Sequence, residues 1–450
     1  NKYVVAKSKE EALILAKVKN PNLTISDLRQ DDDVLDTWFS SWLWPITVFD
    51  GIRNPNNKEI NYYYPTNDLV TAPEILFFWV ARMIMAGYEY KGDLPFRNVY
   101  LTGIVRDKKG RKMSKSLGNS PDPITLIEKY GADGVRVGML LSSPAGNDLP
   151  FDEGLCEQGR NFSNKIWNAF RLIKSWETEK TDQPESAKKA TYWFDNRLNQ
   201  SISEINESYK KYRISEALMY TYKLVWDDFC SWYLEIVKPE YGLPIDITTY
   251  TQIIKHLESI LKLLHPFMPF ITEEIWHLID ARSNDIIIAP WPKSGHIDTH
   301  IIKKFNHTKD VISGIRTIRN EQNIPNKEKL ELFIMKSRTT NNLNSIVRKL
   351  GNLSSLSIIN KKPKSSFSYM VGKDQYFIPL NINFDKSSEL EKLRKDLNYF
   401  IGFLDSVSKK LNNKSFVENA PEKVILNEKN KMIDAKEKIN ILKSKIKDFS

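Results

Sequence analysis

Cysteine is scarce in this chain: only Cys156 and Cys230 occur among its 450 residues, and they form no Cys-x-x-Cys pair. This argues against a disulfide scaffold and against a zinc site built on cysteines. The chain also lacks an apolar run long enough to cross a bilayer, since Arg82 interrupts the stretch that begins at Ile75. No secretory signal pattern opens the chain, and residue 1 is Asn rather than Met. We therefore expect a cytoplasmic protein, observed as a fragment, with no membrane partner.

The composition is otherwise that of a globular protein, with 41% hydrophobic and 27% charged residues. A chain of 450 residues is long enough for roughly two to four domains with sizeable cores. Residues 1–300 carry 36 Lys and Arg against 40 Asp and Glu, whereas residues 301–364 carry 14 against 4. The basic excess therefore lies in the C-terminal third. Such a surface suits a polyanion such as RNA, although solvated lysines alone would also account for it.

The most informative segment is Lys112-Met113-Ser114-Lys115-Ser116. Six cationic side chains and one acid, Asp107, lie between Arg106 and Lys115. The residues around it predict a strand over 99–105, a turn at Lys109-Gly110 and a helix over 121–129. The cation count alone is typical of a solvated hairpin. A strand, a flexible cationic loop and a helix in this order instead favour a loop that grips a polyphosphate.

Residues 112–116 resemble the KMSKS signature of class I aminoacyl-tRNA synthetases. The resemblance implies that the loop holds the phosphates of ATP, which is bound with Mg²⁺, while an aminoacyl-adenylate forms. It implies catalytic roles for Lys112 and Lys115. The implied ATP contacts are Lys112, Met113, Ser114, Lys115, Ser116 and, with a ribose role, Glu74. We expect no protein-bound metal in this chain.

A tryptophan-rich segment narrows the resemblance to the valyl branch of that family. Residues 33–45 (DVLDTWFSSWLWP) resemble the valyl enzymes more than the isoleucyl or leucyl ones at the Ser-Ser-x-Leu-Trp-Pro continuation. The resemblance places Trp38 in the wall of the valine pocket. Trp42 or Trp44 is expected in the core, where most aromatic side chains lie.

Residues 71–83 contain the other expected pocket residues. Thr71 and Glu74 fit a helix capping box, and Ile75 and Trp79 are four residues apart on one predicted helix face. The resemblance implies that these two side chains face valine, whereas packing in the core would explain apolar residues at these positions equally well. Shape and burial are what distinguish valine, and one methylene is worth about 1–3 kcal/mol. The family commonly has Gly-aromatic-Asp where this chain has Ala-Pro-Glu, so Glu74 either contacts the ribose or only caps the helix.

The chain is expected to be multidomain, of class α/β plus α, with four regions. Residues 1–152 would be the C-terminal part of a Rossmann-like catalytic domain that carries the KMSKS loop. Residues 153–299 would be a helical-bundle anticodon-binding domain, and residues 300–384 a small α+β junction. Residues 385–450 carry two apolar stripes and predict an antiparallel coiled-coil hairpin. By resemblance this hairpin is a tRNA-binding arm, although an oligomerisation zipper would have the same pattern.

Further predictions come from the middle of the chain. Residues 159–169 resemble the opening helix of the family's anticodon-binding domain. On that helix the candidate RNA contacts are Arg160, Asn161, Lys165 and Asn168. The sequence also predicts strands over 330–335 and 356–359 and a hairpin over 367–380 around Gly372-Lys373.

The family's second signature, His-x-Gly-His, has no counterpart in this chain. The six histidines are His256, His265, His277, His296, His300 and His307. The family's editing domain is missing as well. We therefore expect the C-terminal half of a valine–tRNA ligase, inactive alone and monomeric at full length, whose partners are tRNA(Val), valine and ATP. An isoleucyl or leucyl synthetase and a non-catalytic tRNA-binding module are the alternatives. The anticodon contacts, the oligomeric state and the motions of the loop are not predicted.

Overall fold

The computed structural model describes residues 3–114, 116–142, 148–335, 343–363, 365–379, 386–413 and 422–449. The chain divides into two compact units. The first comprises Asn1–Asn161 and Glu207–Met219, and the second comprises Phe162–Asn206 and Tyr220–Ser450. Both units are mostly helical with small sheets. Within the described residues, no helix combines the length and the apolar character needed to cross a membrane.

Among the described residues, ten α-helices lie wholly or partly in the first unit. They are α1 (Lys9–Lys17), α2 (Thr37–Ser41), α3 (Trp44–Thr47), α4 (Lys58–Tyr63), α5 (Ala81–Lys91), α6 (Pro123–Tyr130), α7 (Ala132–Leu141), α8 (Glu153–Lys174), α9 (Glu185–Lys210) and α10 (Ile214–Lys223). Short polar side chains cap several of them: the Asp36 carboxylate accepts a hydrogen bond from the Trp38 amide, and Asp122 caps α6.

The strands of the first unit form two small parallel sheets. β1 (Thr66–Thr71) pairs with β2 (Phe96–Leu101), and β3 (Val105–Arg106) pairs with β4 (Leu149–Pro150). Leu69, Val80, Met83 and Phe96 are buried together around the first sheet, with Trp42, Trp79, Ile84 and Val99 packed against them. In the described residues, the region predicted to be an open α/β sheet contains two separate pairs of strands. The predicted strand over 99–105 is divided between β2 and β3, and the predicted helix over 121–129 is α6.

The described part of the second unit contains seven further α-helices. They are α11 (Leu234–Val237), α12 (Ile247–Leu264), α13 (Pro269–Ile279), α14 (Thr299–Glu321), α15 (Asn344–Leu350), α16 (Lys386–Asn412) and α17 (Glu422–Phe449). A π-helical segment, Leu224–Tyr233, precedes α11. The core of this unit is aromatic: Trp193 stacks on Phe305 with ring centroids 3.6 Å apart, and Phe194 stacks on Tyr233 at 4.6 Å.

The described strands of the second unit form two sheets. β5 (Thr178–Glu179) pairs with β6 (Ile245–Asp246). The four-stranded sheet has the order β8-β7-β10-β9, from β7 (Leu330–Met335), β8 (Leu353–Ile359), β9 (Ser366–Val371) and β10 (Asp374–Pro379). The predicted strands and the predicted hairpin are confirmed, with the hairpin turn at Gly372 in the left-handed region at φ +60°. The final residue of that predicted hairpin, Leu380, lies outside the described residues.

The helices α16 and α17 contact each other in antiparallel order. Lys438 of α17 lies 5.0 Å from the ring of Phe400 in α16. The helices meet again ten residues further along α16, at Lys410. There the 2.7 Å hydrogen bond and ion pair with Lys431, and after it the charge of Lys410, lower the pKa of Glu428 in α17. Val407, Ala435 and Ile439 are buried. A pair of helices with this register is what the apolar stripes predict, and its coiled-coil geometry stays a prediction.

Candidate functional site

A tight turn leads into the cationic segment. β3 ends at Arg106, and the chain returns at Lys112, which forms an isolated antiparallel bridge with Arg106. The turn is closed by the Gly110 amide, which donates to the Asp107 carbonyl at 2.8 Å. Gly110 has φ +76°, a backbone conformation that disfavours a side chain and explains why glycine suits this position. The turn therefore fixes where the segment 112–116 begins.

The Asp107 carboxylate organises this turn. Its side chain is only 12% exposed. It accepts hydrogen bonds of 2.9 Å from the backbone amides of Lys109 and Arg111 and from Arg111 Nε, and one of 3.0 Å from Asn119 Nδ2. The Asn119 amide first, and then Arg111, hold the pKa of this carboxyl well below its usual range. In the sequence Asp107 stands out only as the one acid among these cations, and no pattern there indicates a role for Asn119.

The KMSKS-like segment is held at two points. The Met113 amide donates to the Val105 carbonyl at 3.1 Å, and the Ser114 amide donates to Asn119 Oδ1 at 2.9 Å. The Ser114 and Ser116 hydroxyls lie 3.1 Å apart. Lys115, the expected catalytic residue between these serines, lies outside the described residues.

Lys112 and Glu74 form an ion pair across 38 positions of sequence. The Lys112 Nζ to Glu74 Oε2 distance is 2.6 Å, and the two side chains are 55% and 49% exposed. Half-exposed pairs contribute about 0–1 kcal/mol to stability, so the contact is easily exchanged for another partner. The structure thus brings together the loop lysine and the acid with the expected ribose role.

The predicted capping box at Thr71 and Glu74 is wrong. Thr71 is the last residue of β1, is paired with Leu101, and its carbonyl accepts from the Thr102 amide at 2.9 Å. The following 3-10 helix, Pro73–Ile75, has Ala72 as its N-cap and no side-chain cap. The helix therefore begins one residue later than the capping box requires, and the Glu74 carboxylate pairs with Lys112 instead.

The expected valine-pocket residues lie near α2 and the start of α5. Trp79 is partly buried, donates from Nε1 to the Ser41 carbonyl at 3.1 Å, and lies 5.8 Å from the Trp44 ring. Trp38 stacks with Phe78 at 6.2 Å. Trp79 therefore contacts α2 through Ser41 and α3 through Trp44, whereas Trp38 contacts Phe78.

The helix expected through Ile75 and Trp79 differs from the prediction. The chain is a 3-10 helix over Pro73–Ile75 and a π-helix over Leu76–Val80 before α5 begins. The assumed α-helical spacing of four residues is therefore wrong for this segment. Ile75 and Trp79 are both partly buried, whereas Phe77 between them is 78% exposed. π-helical segments are rare and occur frequently at functional sites.

In the first unit, two of the expected RNA contacts lie near the end of its part of α8. Arg160 pairs with Glu157 at 3.3 Å and lies 5.8 Å from the Tyr130 ring, so its guanidinium already has protein partners. Asn161 is exposed.

In the second unit, Lys165 lies 5.4 Å from the Trp226 ring and is partly buried, while Asn168 is exposed. Of these two, Asn168 has the side chain open to solvent.

One group of potential metal ligands occurs within the described residues: Glu273, His277 and Asp285. His277 Nε2 lies 3.1 Å from a Glu273 oxygen and 3.2 Å from an Asp285 oxygen. These are ordinary hydrogen-bond distances from one ring nitrogen to two carboxylates on the surface. The contacts are therefore explained by a histidine that bridges two acids.

Three family models match the chain. The model of class I tRNA synthetases (I, L, M and V) matches residues 2–152. The anticodon-binding domain of tRNA ligase matches residues 191–334, and the valyl tRNA synthetase tRNA binding arm matches residues 385–450.

Curated relatives match along almost the whole chain. The valine–tRNA ligase of Christiangramia forsetii is 58% identical over 456 residues, which cover 100% of this chain and 52% of that protein. The valine–tRNA ligase of Parabacteroides distasonis is 56% identical over 449 residues, which cover 99% of this chain and 51% of that protein. The chain thus spans about half the length of the curated relatives it matches.

A solved structure, the ternary complex of Agrobacterium radiobacter LeuRS with tRNA and LeuAMS, matches more weakly. It is 19% identical, covers 61% of this chain and 34% of that chain, and has a TM-score of 0.45. A score this low carries no weight for the function.

Proposed function

This chain belongs to the valyl branch of the class I aminoacyl-tRNA synthetases, and we propose that it serves in a valine–tRNA ligase, in the ATP-dependent activation of valine and its transfer to tRNA(Val). The observation that carries the proposal is the loop itself. A cation-rich segment with the family's signature is held on a rigid turn, and its first lysine lies 2.6 Å from Glu74.

The chemistry proposed for the loop is charge stabilisation. When valine attacks the α-phosphate of ATP, negative charge builds up on the phosphate oxygens and on the leaving pyrophosphate. Lys112 and Lys115 supply positive charge that stabilises it, and Ser114 and Ser116 add hydrogen bonds. ATP would bring Mg²⁺ with it, and no residue of this chain is assigned to the metal.

Exchange of partners at Lys112 is part of this proposal. The Lys112–Glu74 pair is half exposed and weak. A polyphosphate carries more negative charge than one carboxylate, so it displaces Glu74 from the lysine. Glu74 is then released toward the ribose hydroxyls of the same nucleotide.

Valine recognition is assigned to Trp38, Ile75 and Trp79. Trp79 is fixed by its hydrogen bond to Ser41 and by Trp44, which makes it a stiff wall rather than an adaptable one. A stiff apolar wall discriminates by size, which is the means available for a side chain without polar atoms.

Binding of tRNA is assigned to the regions after residue 152. The proposed boundaries are 1–152 for the catalytic part, 153–299 for the anticodon-binding domain, 300–384 for the junction and 385–450 for a coiled-coil arm. The matches to an anticodon-binding domain and to a tRNA binding arm support this assignment. Arg160, Asn161, Lys165 and Asn168 remain the proposed RNA contacts, and the proposed location is the cytoplasm.

Amino-acid-dependent exchange tests the proposal. The gene product that carries this chain is assayed for ATP–pyrophosphate exchange with valine, isoleucine, leucine or threonine, and then for charging of tRNA(Val). We expect exchange that is highest with valine. Exchange driven by isoleucine or leucine instead would assign a sister enzyme. Salt-dependent tRNA binding without any exchange would favour a non-catalytic binding module.

A further inference from the structure

We infer that Asp107 and Asn119 are positioning residues that hold the cationic signature in its working shape, an inference that rests on the proposed adenylate chemistry. Neither side chain needs to touch the nucleotide for this role. Their effect is exerted through Lys112, Ser114 and the short segment between Ser114 and Asn119.

The Asn119 side chain forms hydrogen bonds with the backbone of the KMSKS-like segment at two positions. Its Oδ1 accepts from the Ser114 amide at 2.9 Å, and its Nδ2 donates to the Lys112 carbonyl at 3.2 Å and to Asp107 Oδ2 at 3.0 Å. Both amide hydrogens and the amide oxygen are therefore used. One side chain thus connects the turn at Asp107 with both sides of Met113.

The backbone after the signature lets Asn119 reach back. Gly118 has φ +61°, in the left-handed region, and the Leu117 amide donates to the Ser114 hydroxyl at 3.2 Å. The chain therefore reverses within a few residues. A side chain at position 118 would be strained in this conformation.

The arrangement closes a short loop whose ends are fixed at Ser114 and Asn119. The Lys112 backbone is held at the same point, because its carbonyl accepts from Asn119 Nδ2. Fixing both ends of a short segment reduces the conformations available to it before ATP binds. Cations aligned in advance stabilise developing charge without a cost of reorganisation during the reaction.

Asp107 supports Asn119 from the other side. Its carboxylate is largely buried and also binds the amides of Lys109 and Arg111 and the Arg111 guanidinium. The carboxylate thus cannot turn away without breaking the turn. Asp107 and Asn119 should act as a unit, and loss of either should cost nearly as much as loss of both.

The test uses the gene product that carries this chain, with Asn119→Ala, Asn119→Asp and Asp107→Asn, and with the exposed Asn56→Ala as matched control. In valine-dependent exchange, Asn119→Ala should lower kcat about 10–100-fold. The KM for ATP and the Kd for valine should change by less than about threefold, because the contact acts on alignment rather than on ground-state binding. Asn56→Ala should leave all three values unchanged.

Exchanging the amide and the carboxylate between positions 107 and 119 distinguishes a positioning role from general damage to the fold. In Asn119→Asp, two carboxylates face each other and kcat should fall at least as far as in Asn119→Ala. In the double variant Asp107→Asn with Asn119→Asp, an amide again meets a carboxylate. We expect it to recover about tenfold of the loss, since one of the shared hydrogen bonds is restored. Equal activity of the single Asn119→Asp variant and the double variant would contradict the positioning role.

Trypsin provides a readout that does not depend on catalysis. The loop has six cleavable cationic residues from Arg106 to Lys115. Without ligand, Asn119→Ala should raise the rate of cleavage within the loop about tenfold, because local opening controls protease access. An unchanged cleavage rate together with an unchanged kcat would overturn the inference. Absence of valine-dependent exchange in the unmodified protein would instead overturn the proposed function, while the cleavage rates would still test the network.

Discussion

Four hydrogen bonds converge on the half-exposed loop at Asp107, whereas the core of the helical unit is built from stacked rings. In that core Trp193 is 1% exposed and Phe305 is 0% exposed. Apolar burial stabilises in proportion to the area removed from water. A hydrogen bond contributes only about 0.5–1.5 kcal/mol of net stability, but it fixes the geometry of the groups it joins. The loop is thus built for shape and the core for stability.

One polar cluster in the helical unit reinforces the contrast, because its histidine is buried and hydrogen-bonded at both ring nitrogens. His256 is 5% exposed, and its Nε2 lies 2.5 Å from Asp195 while its Nδ1 lies 3.2 Å from the Tyr233 hydroxyl. Burial, as the largest cause, raises the pKa of Tyr233. Such a network specifies how helices pack, whereas the loop network leaves the Lys112 side chain half exposed, where a ligand can replace Glu74.

The largest effect on stability is expected for a substitution in the aromatic core. Trp193→Ala should lower the free energy of unfolding by about 3–5 kcal/mol, since it removes a fully buried ring and leaves a cavity. Urea unfolding followed by circular dichroism measures this change. The control is Tyr241→Ala, because Tyr241 is fully exposed and should change stability by less than about 0.5 kcal/mol. Similar losses in both variants would contradict the assignment of stability to this core.

The loop should respond in activity instead. Lys115→Ala should slow ATP–pyrophosphate exchange about 10²–10³-fold, a loss typical of a group that stabilises charge in the transition state. Valine binding and the urea midpoint should stay within error of the unmodified protein. The exposed Lys58→Ala is the control for loss of one positive charge. An equal loss in valine binding and in exchange would contradict the assignment of Lys115 to the phosphates.

Local chemistry made much of this molecule predictable. The apolar run at 330–335 predicts a strand, and the Gly372-Lys373 pair predicts the turn of a hairpin, because both signals act over short distances. The cationic loop was equally visible, since its residues are consecutive. These predictions required no knowledge of which segments meet.

Contacts between distant residues were not predictable in the same way. The Lys112–Glu74 pair joins positions 38 apart, and no periodicity indicates it. The capping box failed because Thr71 has a partner strand, Phe96–Leu101, that lies outside the motif. The α-helical spacing of Ile75 and Trp79 failed because the chain there is 3-10 and then π-helical. Tertiary pairing overrides local propensity at these positions.

A smaller effect is expected at the ion pair between Lys112 of the loop and Glu74. Glu74→Gln removes one charge of a pair whose side chains are half exposed, so stability should change by less than about 1 kcal/mol. If Glu74 binds the ribose, the KM for ATP should rise about fivefold, the value of one weakened hydrogen bond. Glu89→Gln, at an exposed position of α5, is the control. An unchanged KM would limit Glu74 to its pairing with Lys112.

The smallest effect is predicted for the core when the loop is altered. Cys230 in the helical unit is 7% exposed, and burial raises the pKa of its thiol to about 12. Because the raised pKa leaves almost no thiolate at pH 8, iodoacetamide should label Cys230 only when the surrounding helices open. Peptide mass spectrometry then reports that opening. Lys115→Ala and Glu74→Gln should change the labelling rate less than about twofold, whereas Trp193→Ala should raise it by more than tenfold. A loop variant that accelerated labelling as much as Trp193→Ala would show that the loop stabilises the core. It would contradict the view that the loop fixes geometry while the core supplies stability.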